Sequence, residues 1–145
     1  MWYKAGLIVL LASISLTSRA QDFPQPRVDN YQSMIRMLGH PDRVQPTPDG
    51  NNYIYKDVIV NISGEDQRTI LSLTFVRPNV YTKYRGLDVG VSAKELLTKI
   101  TDVYVHKDTN GIAFITDYQR GLIFWMERDL AVKMVQVKPG SLKRL

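Results

Sequence analysis

The 145-residue chain contains no cysteine and only two histidines. Without thiols it has no disulfide, no thiolate metal ligand and no cysteine nucleophile, so its fold has to depend on an apolar core. Neither a phosphate-binding loop ending in Gly-Lys-Ser/Thr nor a Gly-x-Ser-x-Gly nucleophile elbow occurs. These absences leave few of the sequence signals by which enzymes are usually identified.

Long apolar runs are also scarce, and the single such run lies within the first 20 residues. Lys4 supplies a positive charge, residues 5–16 are uncharged and mostly apolar, and small residues precede Gln21. This is the pattern of a secretory signal peptide. The apolar run would form a helix of about 18 Å, whereas a membrane span needs roughly 30 Å. We predict cleavage after Ala20 and a periplasmic or secreted bacterial protein without a membrane span; an uncleaved anchor is the alternative.

The first mature residue would be Gln21 and not the cysteine that bacterial lipoproteins acylate, so we expect no lipid anchor. Loss of Lys4 and Arg19 reduces the 19 basic residues to 17 against 14 acidic ones, a net charge of +3. The charges are scattered, which is typical of a solvated surface, with a basic patch for acidic lipid or glycan as the alternative. Nucleic acid is not an expected partner.

The mature chain is predicted to alternate short helices with antiparallel strands. Residues 21–29 contain two prolines and are predicted to form an extended leader. Apolar spacing from Tyr31 to Leu38, ended by Gly39 and Pro41, predicts a helix over about residues 30–38. Turn-forming residues fill 45–52, and three strands are then expected, at 53–55, 58–62 and 69–76.

A second helix and meander follow a loop at residues 77–91. Ser92 and Glu95 fit a capping box at the start of the second helix. Strands are predicted at 112–115, 122–126 and 130–137, while 103–105 is either a short strand or a loop. Apolar positions of the two halves match at shifts of 59 to 64 residues, which indicates a duplication. We predict a single domain, residues 30–145, made of two repeats at about 30–80 and 86–139.

Two short motifs support a family resemblance. Residues 38–42 (LGHPD) resemble the Leu-Gly-x-Pro element of the SmpA/OmlA outer-membrane assembly lipoproteins, and residues 90–95 (GVSAKE) resemble their Gly-x-Ser/Thr-x-x-Glu/Asp helix start. The repeated helix-plus-strand pattern also resembles the β-lactamase inhibitor protein. That resemblance implies a concave sheet face that binds another protein.

Both histidines lie in His-x-Asp triplets, His40–Asp42 and His106–Asp108. Each pair could direct an imidazole and a carboxylate to one side, and two pairs would suffice for a four-ligand metal site or for acid–base chemistry. The repeat alignment does not bring the pairs together, however, and both aspartates occupy ordinary turn sequences. We therefore expect turn and surface roles, with no cofactor, and a small metal-dependent or hydrolytic enzyme is the alternative.

A binding surface is the favoured interpretation. Alternation along residues 122–126 assigns Leu122, Phe124 and Met126 to the core, which directs Ile123 and Trp125 to the opposite side. Because tryptophan and tyrosine dominate interface energetics, the predicted site is centred on Trp125. Its other members are Ile123, Ile59, Tyr118, Tyr81 and Tyr84. A second layer of the fold or a dimer mate could cover the same face instead.

Together these observations predict an α+β fold, a tandem repeat of a short helix plus an antiparallel β-meander with the helices packed on one face of the sheet or sheets. The predicted function is non-catalytic binding of another envelope or secreted protein. A cell-wall or glycan-binding module is a further alternative, in which Trp125 and Tyr118 would stack on a sugar ring. A homodimer is compatible with either function.

Overall fold

The computed structural model describes residues 23–78 and 84–144. The predicted signal peptide, residues 1–20, lies outside the described residues. Eight strands form one antiparallel sheet in the order β1-β2-β3-β4-β8-β7-β6-β5. The first meander comprises β1 (Arg43–Thr47), β2 (Gly50–Ile54), β3 (Ile59–Ser63) and β4 (Ile70–Phe75). The second comprises β5 (Val103–Asp108), β6 (Gly111–Asp117), β7 (Leu122–Glu127) and β8 (Leu130–Gln136).

A short helix precedes each meander, and the local sequence explains where each helix begins. In α1 (Tyr31–Leu38), the Asn30 side chain accepts a hydrogen bond from the Ser33 amide at 3.0 Å. In α2 (Ala93–Lys99), the Ser92 hydroxyl accepts one from the Glu95 amide at 3.2 Å. Side-chain acceptors of this kind satisfy amides that have no partner in the first helical turn. The predicted helix starts are thus confirmed.

The prediction of an α+β fold is wrong. The two helices contain 8 and 7 residues, whereas the strands of the described chain all belong to a single eight-stranded sheet. The two meanders join edge to edge, because β4 pairs with β8 through Leu73↔Gln136, Thr74↔Val135 and Phe75↔Met134. The molecule is therefore predominantly a β-sheet protein. A helix followed by four strands occurs twice along the chain, and duplication of the sequence stays a prediction.

Residues 45–47 of β1 and 50–52 of β2 lie in the segment 45–52 that the sequence predicts to be turn. The sequence of β1, Arg43–Thr47, contains Pro46, which cannot donate a backbone hydrogen bond to a sheet. Proline is tolerated on an edge strand, where one side of the backbone has no partner strand, and β1 is an edge of this sheet. β5, the opposite edge, is also longer than predicted and extends to Asp108.

The core lies on one side of the sheet, which we call the core face. Val60, Leu73 and Phe124 are fully buried there, and Met34 of α1 and Leu96 of α2 belong to the same apolar cluster. Burial of such side chains is the main stabilising contribution to a fold without disulfides. The opposite side, which we call the open face, presents the alternate residues of each strand.

The N-terminal leader is packed against this core. Phe23 is buried, and its ring centroid lies 5.8 Å from that of Phe75. Gln136, also buried, donates a side-chain hydrogen bond to the Gln25 side chain at 3.1 Å. The described part of the leader turns at residues 26–28 instead of staying extended. Within the described ranges, no helix has the length and apolar character needed to cross a membrane.

Candidate functional site

Four side chains form a continuous row across the open face, one from each strand of the second meander. The strand register places His106 opposite Phe114, Phe114 opposite Trp125, and Trp125 opposite Lys133. The His106 and Phe114 rings are stacked, with centroids 4.7 Å apart and planes at 15°. The centroids of Phe114 and Trp125 lie 5.2 Å apart with planes tilted by 51°. The Lys133 ammonium lies 4.9 Å from the Trp125 centroid. We call these four residues the aromatic row.

A β-bulge explains how Phe114 reaches this face. His106 pairs with Phe114 but the next residue, Lys107, pairs with Ile112, so Ala113 has no partner on β5. One extra residue shifts the alternation of side chains along a strand. As a result Ile112 packs against the core, whereas Phe114, two residues later, lies on the open face.

A second row runs beside the first and is largely apolar. Following the register from β2 to β5, it contains Ile54, Ile59, Thr74, Val135, Ile123, Thr116 and Tyr104. The row crosses seven strands, which corresponds to about 29 Å at the usual strand spacing. The open face therefore offers an uncharged stripe adjacent to the aromatic row.

Three of the exposed large apolar side chains of the described residues lie on the neighbouring strands β7 and β8. Trp125 itself is 39% exposed, and the paired strand β8 contains Leu130 and Val132, which are 48% and 40% exposed. Large apolar side chains left in water next to one another are typical of interaction sites on monomeric proteins. Thr116, in the neighbouring row, is by contrast buried. The most accessible apolar part of the open face is thus the β7–β8 end.

Among the described residues, the basic members of the aromatic row form no ion pair. In the part of the chain that the structure describes, the ion pairs are Arg120–Asp117 and Arg144–Asp102, and neither involves Lys133 or His106. By register, the carboxylates on this face are Asp108 and Glu127, each the last residue of its strand. Asp108 accepts a hydrogen bond from the Asn110 amide at 2.7 Å. Lys133, at the β8 end of the row, therefore has a positive charge that no carboxylate of the described residues pairs with.

The structure brings three of the predicted surface residues to one face and places the others elsewhere. Trp125, Ile123 and Ile59 all lie on the open face, with Ile123 and Ile59 in the same row. Tyr118 lies in the turn after β6, where the Arg144 guanidinium covers its ring at 4.8 Å. Tyr84 packs against the core cluster, and Tyr81 lies outside the described residues.

The two His-x-Asp pairs lie far apart. His106 and Asp108 belong to β5, one edge of the sheet, whereas His40 and Asp42 immediately precede β1, the other edge. Within residues 23–78 and 84–144, no group of three or more His, Asp or Glu side chains is arranged to hold a metal ion. The four-ligand arrangement considered for these residues is therefore not formed.

His40 and Asp42 line a cavity of about 280 Å³ whose wall also includes Tyr55. The Tyr55 hydroxyl donates a hydrogen bond to the Gly39 carbonyl at 2.9 Å. Burial, with smaller effects of Tyr31 and Tyr53, raises the pKa of Tyr55 to about 12. Tyr55 thus stays protonated at physiological pH, which makes it a poor general base.

A wider polar concavity of about 900 Å³ lies at the β1–β2 and β3–β4 turns and includes Glu65 and Asp66. The Thr69 hydroxyl donates to the Asp66 carboxylate, and the amides of Thr69 and Arg68 donate to it at 2.9 Å each. These hydrogen bonds lower the pKa of Asp66 to about 2. A carboxylate that stays ionised in this way cannot act as a general acid near neutral pH. Its contacts are those of a turn.

Sequence reasoning missed Phe114, His106 and Lys133 as members of the candidate site. Phe114 follows Ile112 by two residues, and simple alternation would assign both to the same face. Lys133 could have been found, because it lies two residues before Val135 on a predicted strand whose core residues include Met134. No local signal indicates the bulge at Ala113.

Comparisons with known proteins give a fold relationship and no family. No family model matches the chain, and no curated protein matches it. Among solved structures, the chain is similar to a 1.5 Å crystal structure of an extracellular protein containing an SCP domain from Bacillus anthracis str. Ames. The TM-score is 0.55 at 11% identity, and the match covers 98% of this chain and 51% of that one. The chain thus spans about half the length of that protein, and a similarity at this identity concerns the fold alone.

Proposed function

We propose that this protein acts without catalysis, by binding another protein through the open face of its sheet, with Trp125 at the centre of the interface. The main support is the aromatic row together with the exposed apolar residues of β8 that surround it. Tryptophan is the residue type most enriched among those that dominate binding energy. Packed against Phe114 and Lys133, Trp125 is held in a defined orientation before a partner arrives.

The proposed location is outside the cytoplasm. The first 20 residues have the pattern of a signal peptide, and the similar solved structure is that of an extracellular protein. The absence of cysteine at position 21 supports a mature protein without the lipid anchor of the SmpA/OmlA lipoproteins. The protein would accordingly meet its partner in the periplasm or outside the cell.

Binding of protein is favoured over stacking of a sugar by the arrangement of the two rings. A saccharide stacks on a free aromatic face, but here His106 covers one face of Phe114 and the Lys133 ammonium lies over Trp125. Protein side chains can instead insert beside such rings and along the apolar row next to them. The separation of His40 and Asp42 from His106 and Asp108 similarly favours binding over hydrolysis.

The test is capture of a partner by cross-linking, with one variant inside the proposed interface and one exposed apolar variant outside it. Immobilised protein would be incubated with the envelope and secreted fractions of the source bacterium, alongside Trp125→Ala and Val28→Ala. Val28 is 76% exposed and lies outside the sheet, so it controls for loss of an exposed apolar side chain. A captured protein would then be purified and its affinity measured by calorimetry.

We expect Trp125→Ala to weaken the purified complex by about 30-fold or more, as for a central interface residue. Val28→Ala should bind within about twofold of the wild type. Equal binding by both variants would contradict the proposed interface. Retention by purified peptidoglycan or glycan, in the absence of any captured protein, would favour the alternative of a wall-binding module.

A further inference from the structure

Lys133 limits which partners can cover Trp125. Its ammonium lies over the Trp125 ring, so a partner that buries the ring also removes water from the ammonium. Lys133 has no carboxylate within 4.0 Å in the described chain. Burial of an ammonium without a compensating charge is strongly unfavourable, and removal of one member of a buried pair has a similar effect. A tightly bound partner therefore has to supply the missing negative charge.

We infer that the partner presents an acidic segment to the aromatic row, with at least one Asp or Glu side chain beside an apolar residue that packs on Trp125. This inference depends on the proposed function, since it describes the occupant of the same face. Arg43 continues the uncharged row at its β1 end and adds a second positive charge to the open face, and the row itself has no charged residue from Ile54 to Tyr104. Complementary charges on the two surfaces both increase the association rate and exclude wrong partners.

The carboxylates of this chain do not fulfil the same role. Glu127, two residues after Trp125, lies opposite Leu130 in the register and forms no ion pair with Lys133. Asp108 is engaged with the amide of its own turn. Both lie at the same end of the sheet, so a partner segment that extends from the aromatic row toward the uncharged row avoids them. The inferred segment is thus acidic where it meets Lys133 and apolar beyond it.

The experiment is an unbiased selection of peptides. A phage library of random 12-residue peptides would be selected on the immobilised full chain, with removal of phage that also bind Trp125→Ala. The peptides that remain depend on the aromatic row. We expect them to be enriched in Asp and Glu next to an apolar residue, compared with the unselected library.

Resynthesised peptides then test Lys133 directly. Lys133→Met keeps an unbranched side chain that can pack on Trp125 but removes the charge, and we expect affinity to fall about tenfold; Lys133→Glu should reduce it further. Lys94→Glu, an exposed charge reversal on α2, is the matched control and should bind within about twofold of the wild type. Circular dichroism of each variant establishes that it is folded.

Three results would overturn the inference, and they differ in what they imply for the proposed function. The first result is a set of peptides that require Trp125 but are not enriched in Asp and Glu, and that bind Lys133→Met as well as the wild type. It would refute an acidic partner and leave the proposed protein-binding face standing. Failure to recover any Trp125-dependent peptide would contradict both proposals. Binding of polygalacturonate that requires both Trp125 and Lys133, without peptide binding, would assign the negative charge to an acidic polysaccharide.

Discussion

Phe124 and Trp125 are neighbours on β7 that lie on opposite faces of the sheet. Their alanine variants therefore report separately how much each face contributes to the free energy of unfolding. Phe124 is fully buried, so we expect Phe124→Ala to lower the free energy of unfolding by about 3–5 kcal/mol. Trp125 is 39% exposed and contacts Phe114 and Lys133. An aromatic pair contributes about 0.5–1.5 kcal/mol and an exposed cation–π contact about 0.5–1 kcal/mol. These two contacts together contribute about 1–2.5 kcal/mol beyond the burial of apolar area, which is partial for Trp125 and complete for Phe124, so we expect Trp125→Ala to destabilise the protein less than Phe124→Ala does.

Urea denaturation followed by far-UV circular dichroism is the suitable assay, because it does not depend on the tryptophan that is removed. The slope of unfolding free energy against urea should be the same for both variants, so that the midpoints report stability alone. If Trp125→Ala destabilises the protein as much as Phe124→Ala, the reasoning is refuted. Trp125 would then be buried in solution, and the open face would be covered by another part of the protein or by a second copy.

Two further predictions concern turns. The Thr69 hydroxyl and amide hydrogen bonds lower the pKa of Asp66 from 3.8 to about 2, so Asp66 stabilises the fold fully above about pH 4 and progressively less as the pH falls through 2. Asp66→Ala should therefore lower the urea midpoint at pH 7, and its difference from the wild type should shrink as the pH falls from 4 to 2; a difference independent of pH would contradict this. In the β7–β8 turn, Arg128 and Asp129 have φ values of 50° and 63°. Asn and Gly adopt positive φ values more readily, so replacing the two residues together by Asn and Gly should raise the free energy of unfolding by about 1 kcal/mol. An unchanged or lower thermal midpoint would contradict the view that positive φ strains Arg128 and Asp129.

Features set by neighbouring residues could be predicted from the sequence. Asn30 and Ser92 each accept a hydrogen bond from an amide three residues later, which makes the helix starts local events. Alternation on β7 also depends on adjacent residues, and Phe124 and Trp125 lie on opposite faces as the pattern predicts. These predictions depend only on backbone geometry over three or four residues.

Features that depend on distant pairing could not be predicted in this way. The β4–β8 pairing joins residues about 60 apart in sequence, such as Leu73 and Gln136, and nothing in either strand specifies the other. That single pairing converts two meanders into one eight-stranded sheet, beside which the two helices of 8 and 7 residues are a minor part of the fold, and the α+β assignment is therefore wrong. Pro46 argued against a strand at β1, because proline is tolerated in a sheet mainly on an edge strand. Whether β1 is an edge depends on the strand order of the complete sheet.

The aromatic row has an explanation in folding as well as in binding, and Lys133 helps to distinguish them. Cross-strand aromatic pairs stabilise sheets by about 0.2–1 kcal/mol, so the contact between Phe114 and Trp125 would contribute without any partner. Folding alone, however, does not account for Leu130 and Val132 being exposed beside Trp125. Apolar surface of this kind reduces solubility unless it is shielded, and the Lys133 ammonium, 4.9 Å from the ring centroid, covers part of the Trp125 ring in the free protein. The same ammonium makes binding to an uncharged apolar surface unfavourable. If the proposed function holds, one residue both covers part of the site in the free protein and restricts it to an acidic partner, a combination that sheet stability by itself does not require.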